Sequence, residues 1–307
     1  MGHIIFLFRY PDKVMALYIL LADDFFEGYE TDAADWEPKL YPYQQQGANV
    51  LFFTFINPES MTVPKSFDKL AATRGTDADG AVPEDTVIIY AIGGIHYSTV
   101  YNPWHWLTSK EAAEEMAVQV ANWKYCDGID LDIEEGAGDA DQAGQNLVHF
   151  VVKLRSLRPD IIIGLPTYGY PAVSATNDVI NESWDVNSNS LNAVDSVGIM
   201  VYEGTESLRY VDNFVKGADQ WEGFPIHVNV NSKAVMLGCK GSSSASTIQK
   251  LAEESVKQDL LGIMVWYASV QNGFQYTVSW DASIVEDSQG GYISALEYFK
   301  GQGQSRP

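Results

Sequence analysis

The chain reads as a single-domain (β/α)8 barrel of the α/β class. Two observations lead there. Eight short apolar or β-branched runs recur at intervals of roughly 30–40 residues. Helical patterns fill the intervals, and no Pro/Ser/Gly-rich linker divides the 307 residues. A doubly wound sheet is the alternative, and it usually carries fewer strands.

The expected strands, in order, are Ala16–Ala22, Asn49–Asn57, Thr86–Gly94, Gly128–Ile133, Ile161–Pro166, Val194–Tyr202, Pro225–Val230 and Gly262–Tyr267. Helices are expected over 31–46 and 207–221. Thr108 with Glu111 forms a capping-box pattern ahead of EAAEEMAVQVANW. Gly144–Leu157 has apolar residues at helical spacing and stops before Arg158-Pro159. Ser246 with Gln249 repeats the capping pattern before Ile248–Lys257, and Ile293–Lys300 reads as the last helix. Residues 1–14 read as an N-terminal extension or expression artefact, 15–300 as the barrel and 301–307 as a frayed tail. The last two expected strands are too close together for an inserted second domain.

Composition narrows the function. Lys plus Arg is 19 and Asp plus Glu is 41, giving a net charge of −22. So acidic a chain repels nucleic acid and anionic lipid. No apolar stretch reaches membrane-spanning length. No export signal is visible, so the expected location is cytoplasmic, or the chain is the mature or recombinant form of a secreted protein. The sequon Asn181-Glu182-Ser183 matters only in the secreted case. Cys126 and Cys239 lie in apolar surroundings and read as buried free thiols rather than a disulfide. The five histidines form no zinc-binding pair, and neither a metal nor an organic cofactor is expected.

The chemistry concentrates in Asp127-Gly128-Ile129-Asp130-Leu131-Asp132-Ile133-Glu134. Side chains alternate faces along a strand, so Asp130, Asp132 and Glu134 share one face and Ile129, Leu131 and Ile133 the other. The apolar face meets the helices, which turns three carboxylates into the barrel. Burying three like charges couples their titration and holds at least one protonated near neutral pH. Glu134 stands nearest the C-terminal end, where barrel active sites lie, and is the natural general acid. An exposed acidic edge would not alternate with Ile and Leu. A calcium loop counted from Asp130 would need Gly where Glu135 stands.

The octet resembles in full the DGxDxDxE motif on the fourth strand of glycoside hydrolase family 18, the family of chitinases and certain endo-β-N-acetylglucosaminidases. Ala91-Ile92-Gly93-Gly94 is similar to its SxGG motif, with Ala in place of Ser. Met200-Val201-Tyr202-Glu203 is similar to MxY(D/N), with Glu in place of Asp or Asn. Gly262-Ile263-Met264-Val265-Trp266 resembles the last strand, whose Trp floors the sugar site. The resemblance runs from about residue 16 to residue 285 and implies substrate-assisted, retaining hydrolysis next to N-acetylglucosamine. It makes Glu134 the acid and then the base, and Asp132 the partner of the substrate's acetamido N–H. It makes Tyr202 the donor to the acetamido carbonyl, with Asp130 tuning Asp132 and Asp127 supporting the strand. Trp266, Gly93, Gly94, Met200, Tyr97 and Glu203 would bind substrate. Trp36, Trp104, Trp106 and Tyr170 are further groove candidates. The partner would be an N-acetylglucosamine-containing oligo- or polysaccharide. Three functions remain open: chitinase, endo-β-N-acetylglucosaminidase on the N-glycan chitobiose core, and a silent chitinase-like lectin. Lectin-like members commonly lose the Glu that this chain keeps.

Overall fold

A computed structural model describes residues 10–21, 37–95, 97, 103–134, 140–168, 194–217, 230–269 and 282–303. Eight parallel strands close into a barrel in chain order. They are β1 (Val14–Leu20), β2 (Val50–Ile56), β3 (Val87–Gly93), β4 (Gly128–Asp132), β5 (Ile162–Thr167), β6 (Ser196–Ile199), β7 (Val235–Lys240) and β8 (Gly262–Ser269). Pairing of Val14 with Gly262 and Ala16 with Met264 closes the circle. The helices between them are α1 (Pro42–Gly47), α2 (Lys65–Ala71), α3 (Lys110–Ala121), α4 (Ala140–Leu157), α5 (Ala245–Lys257) and α6 (Ala282–Gly303).

Apart from the inward face of β4, the strands are largely apolar on both faces, and alternation divides them between two cores. Met15, Leu17 and Ile19 of β1 pack outward with Ile129 and Leu131 of β4 and with the helices. Ala16 and Tyr18 of β1 fill the barrel with Phe52, Ile89, Ala91 and Met264. This parity places Asp130 and Asp132 inside.

The structure moves several expected boundaries. The seventh strand is Val235–Lys240, not Pro225–Val230, whose residues 225–229 lie outside the described set. Its sequence VMLGCK has a single β-branched residue, so propensity favoured the wrong run. Gly238 is needed there: a Cβ would lie 2.3 Å from the Ile199 carbonyl of β6. Only α5 joins β7 to β8, leaving no inserted domain between them. The caps also move. Ser109 caps α3 by accepting from the Ala112 N–H at 3.1 Å, while Thr108 closes the preceding turn on the His105 carbonyl. Ser244, not Ser246, caps α5 by accepting from the Thr247 N–H. Of the expected helix 31–46, only Pro42–Gly47 is helical in the described part. In 207–221 the chain makes two short turns, Glu206–Tyr210 and Asn213–Gly217. The last helix runs longer than expected, over Ala282–Gly303.

The chain enters the barrel before residue 15. Tyr10 and Ser196 share a hydrogen bond of 3.0 Å, the Lys13 amine donates to the Leu260 carbonyl, and Val14 belongs to β1. Both cysteines are free and buried, and burial raises their thiols to about 11 for Cys126 and about 12 for Cys239. The sequon lies outside the described residues. Among the described residues no helix is long and apolar enough to cross a membrane.

Candidate active site

The site is built on β4. Asp130 and Asp132 point into the barrel and are only 1% and 4% exposed. Neighbouring strands make room for them with small residues. Ala91 of β3 pairs with Asp130 and Gly93 with Asp132. Gly164 pairs with Asp130 from β5, and a Cβ there would lie 2.3 Å from Asp130 Oδ1. The Tyr18 hydroxyl of β1 donates to Asp130 Oδ2 at 2.8 Å. Ala91 can offer no hydroxyl to this carboxyl.

Burial dominates the titration of both groups. It raises Asp130 to about 7, partly offset by the hydrogen bond from Tyr18. Asp132 is pushed well above the usual carboxylate range by burial, then by Glu134, then by Asp130. Asp132 Oδ1 is buried and has no hydrogen-bond partner among the described residues. A buried acceptor left in this state is rare and points to a missing partner.

Gly93 and Gly94 bring the end of β3 against this strand. Their φ angles are +98° and +88°, a region that favours glycine. A Cβ on Gly93 would lie 2.3 Å from the Asp132 carbonyl, and one on Gly94 would lie 2.8 Å from the Phe55 ring. The Gly94 N–H donates to the Asp132 carbonyl at 2.8 Å. The peptide between Thr54 and Phe55 is cis.

A cavity of about 230 Å³ opens above the carboxylates. Its polar wall is Asp132, Glu134, Tyr168 and Tyr202. Its apolar wall is Tyr18, Phe55, Ile95, Met200 and Trp266. The Trp266 ring stands edge-on to Tyr18 at 5.8 Å and tilts against Phe55 at 5.5 Å. Tyr18 in turn stacks on Phe52 at 4.4 Å, so the indole rests on a packed aromatic column. Tyr202 lies against Gly238, where a Cβ would meet its ring at 3.1 Å. Burial, then Asp132, Glu134 and Asp130, keep its hydroxyl neutral and able to donate. The Tyr168 hydroxyl donates to Glu134 Oε2.

The structure thus brings Glu134, Asp132, Tyr202, Met200 and Trp266 to one cavity, with Asp130 beneath and Gly93–Gly94 behind. Other expected site residues lie elsewhere. Asp127 precedes β4 at the opposite end of the barrel, where it accepts from the Ile88 N–H at 2.8 Å and pairs with Arg74. It shares the parity of Ile129, so it cannot join the inward row. Glu203 is exposed and pairs with Lys240 at the barrel end. Tyr97 is buried in the interior cluster and does not line the cavity. Trp104 and Trp106 are core, and the Trp106 indole N–H donates to the Pro58 carbonyl at 3.1 Å. Trp36 and Tyr170 lie outside the described residues. Sequence reading missed Tyr18, Phe55, Ile95 and Tyr168. The inward parity of β1 could have found Tyr18. Among the described residues no cluster of three His, Cys, Asp or Glu side chains is arranged to hold a metal ion.

The barrel has a glycoside hydrolase family 18-like fold, shared with solved structures of low sequence identity. A chitinase from Rhizomucor miehei is 12% identical, with a TM-score of 0.61 over 92% of this chain and 100% of its own. The catalytic domain of a hyperthermophilic chitinase from Pyrococcus furiosus is 15% identical, with a TM-score of 0.58 over 95% and 97%. A chitinase-like agglutinin from Robinia pseudoacacia is 11% identical, with a TM-score of 0.55 over 90% and 99%. No family model matches the sequence, and no curated protein matches it.

Proposed function

We propose that the protein is a retaining glycosidase that hydrolyses β-1,4 bonds next to N-acetylglucosamine in chitin or chitooligosaccharides. The observation that carries this reading is Asp132 Oδ1, a buried acceptor without a partner among the described residues, on the wall of a cavity floored by an indole. A 2-acetamido sugar stacked on Trp266 supplies the missing N–H donor.

The chemistry then needs no second nucleophile. Glu134 gives its proton to the glycosidic oxygen as the bond from that oxygen to the anomeric carbon breaks. The substrate's acetamido carbonyl oxygen attacks the same carbon from the other face and forms an oxazolinium ion. Asp132 accepts from the acetamido N–H, and Tyr202 donates to the acetamido oxygen before attack. Asp130 titrates near 7 and takes up the proton that Asp132 releases as positive charge develops. Glu134, now a carboxylate, takes a proton from water, and the hydroxyl opens the intermediate with retained configuration.

Parallel digestion of chitotetraose, soluble chitin and a high-mannose glycoprotein, with products identified by mass, tests the reading. Release of N-acetylchitobiose from chitotetraose is expected. Cleavage of the glycoprotein alone would make the protein an endo-β-N-acetylglucosaminidase. Binding without product would make it a lectin, in line with the chitinase-like agglutinin from Robinia.

A further inference from the structure

Glu134 does not sit on the sheet ladder. β4 ends at Asp132, two residues before the residue that must hold the acid proton. The ladder to β5 stops earlier still, with Asp130 opposite Gly164. Pro166, which has no N–H to donate, follows two residues on. Counting four residues along both strands from the last pair sets Glu134 opposite Tyr168, both with inward parity. There the Tyr168 hydroxyl donates to Glu134 Oε2, and both side chains line the cavity. The backbone before Tyr168 is anchored, because the Thr167 carbonyl accepts from the Met200 N–H just beyond β6 at 2.7 Å. A side-chain bond closes the seam where the backbone ladder has ended.

We infer that Tyr168 is the positioning residue for Glu134, fixing which carboxyl oxygen faces the scissile bond. The inference rests on the hydrolase reading and adds a residue to it. With Oε2 accepting from Tyr168, the proton resides on Oε1 and leaves from there to the glycosidic oxygen. After transfer the same hydroxyl bonds the charged carboxylate more strongly, since hydrogen bonds to ions are about twice as strong as neutral ones. Asp132 on the same strand faces this carboxyl, with Asp130 deeper. Tyr202 contributes from beyond β6, and Trp266 of β8 and Tyr18 of β1 carry no charge at neutral pH. The sequence offered no cue beyond a tyrosine after a strand.

Tyr168→Phe removes the hydroxyl and keeps the ring. Two readouts separate this inference from the hydrolase reading. In protein carrying ¹³C at glutamate side-chain carboxyls, the Glu134 signal is assigned by its loss in Glu134→Gln and titrated in parent and Tyr168→Phe. Its midpoint is expected to rise by about one pH unit in the variant. On chitotetraose the variant's kcat is expected to fall about tenfold with KM within about twofold of the parent. The basic limb of its pH profile should move upward with the NMR midpoint. A purely structural tyrosine would move neither midpoint nor limb. An unmoved midpoint, or a kcat within about twofold of the parent's, overturns the role of Tyr168. A parent that yields no product from any substrate overturns the hydrolase reading instead, and the NMR titration still decides the contact.

Discussion

Replacing Asp130 by Asn keeps the shape of the buried side chain and removes its charge. The Asn side-chain oxygen can still accept from Tyr18, which donates to Asp130 Oδ2 at 2.8 Å. What changes is the linkage between proton binding and folding. Asp130 is raised from an ordinary 3.8 to about 7, first by burial. The folded state therefore holds a proton that the unfolded chain has released, and stability falls as pH rises from about 4 to about 7. That rise in pKa is equivalent to about 4 kcal/mol at pH values above both titrations, which is the ceiling on the cost of the charged form. The Asp130→Asn variant escapes this cost. Denaturant unfolding of parent and variant at half-unit steps from pH 4 to pH 8 reads the difference. The two should be nearly equal at the acid end, with the variant more stable by up to about 4 kcal/mol at the alkaline end. Turnover of the variant should fall, because Asp132 loses the neighbour that takes its proton. A stability gap that does not change with pH, or a variant less stable at pH 8, would refute the account of the buried row. Such a variant would exchange activity for stability, as strained sites commonly do.

Three further outcomes follow from other parts of the structure. Arg74→Met leaves Asp127 buried without its ion pair and should cost roughly 2–3 kcal/mol, less than a fully buried pair because Arg74 is partly exposed. Activity per folded molecule should stay at the parent value, and a lost kcat would return Asp127 to the site. Trp266→Ala removes the indole from the cavity floor and should raise KM for chitotetraose at least about tenfold. An unchanged KM would mean that the ring only packs. Ser109→Ala should lower stability by about 1 kcal/mol through loss of the α3 cap, and Thr108→Ala by less; thermal melts of the pair distinguish the two assignments.

The barrel was legible because its strands are apolar runs that alternate between two cores, and the interval between them is regular. The strand that escaped, Val235–Lys240, is the one whose residues are chosen for close approach rather than for β propensity. Gly238 there admits both the β6 backbone and the Tyr202 ring. Asp130, Asp132 and Glu134 were legible because alternation with Ile and Leu fixes their face in one dimension. Asp127 entered the set through the motif as a support for the strand; its parity is that of Ile129, and it ties β4 to β3 by accepting from the Ile88 N–H rather than joining the inward row. Glu203 follows Tyr202 directly but points to Lys240 at the surface. The residues that were missed enter from other strands. Tyr18 and Tyr168 reach the carboxylates, and Phe55 the cavity above them, only through barrel closure and register, which one segment of sequence does not display. The helix caps were off by one or two residues because serines and threonines cluster at both boundaries, and backbone geometry chooses among them.

The hydrolase reading comes down to the proton on Glu134. Turnover of chitotetraose by the parent and by Glu134→Gln, at equal concentrations of protein shown to be folded by circular dichroism, measures it. The parent should release N-acetylchitobiose with initial retention at the anomeric carbon. The variant should be slower by about 10²–10⁴-fold with its melting unchanged. A Glu134→Gln variant that cleaves at the parent rate would contradict the assignment of the acid.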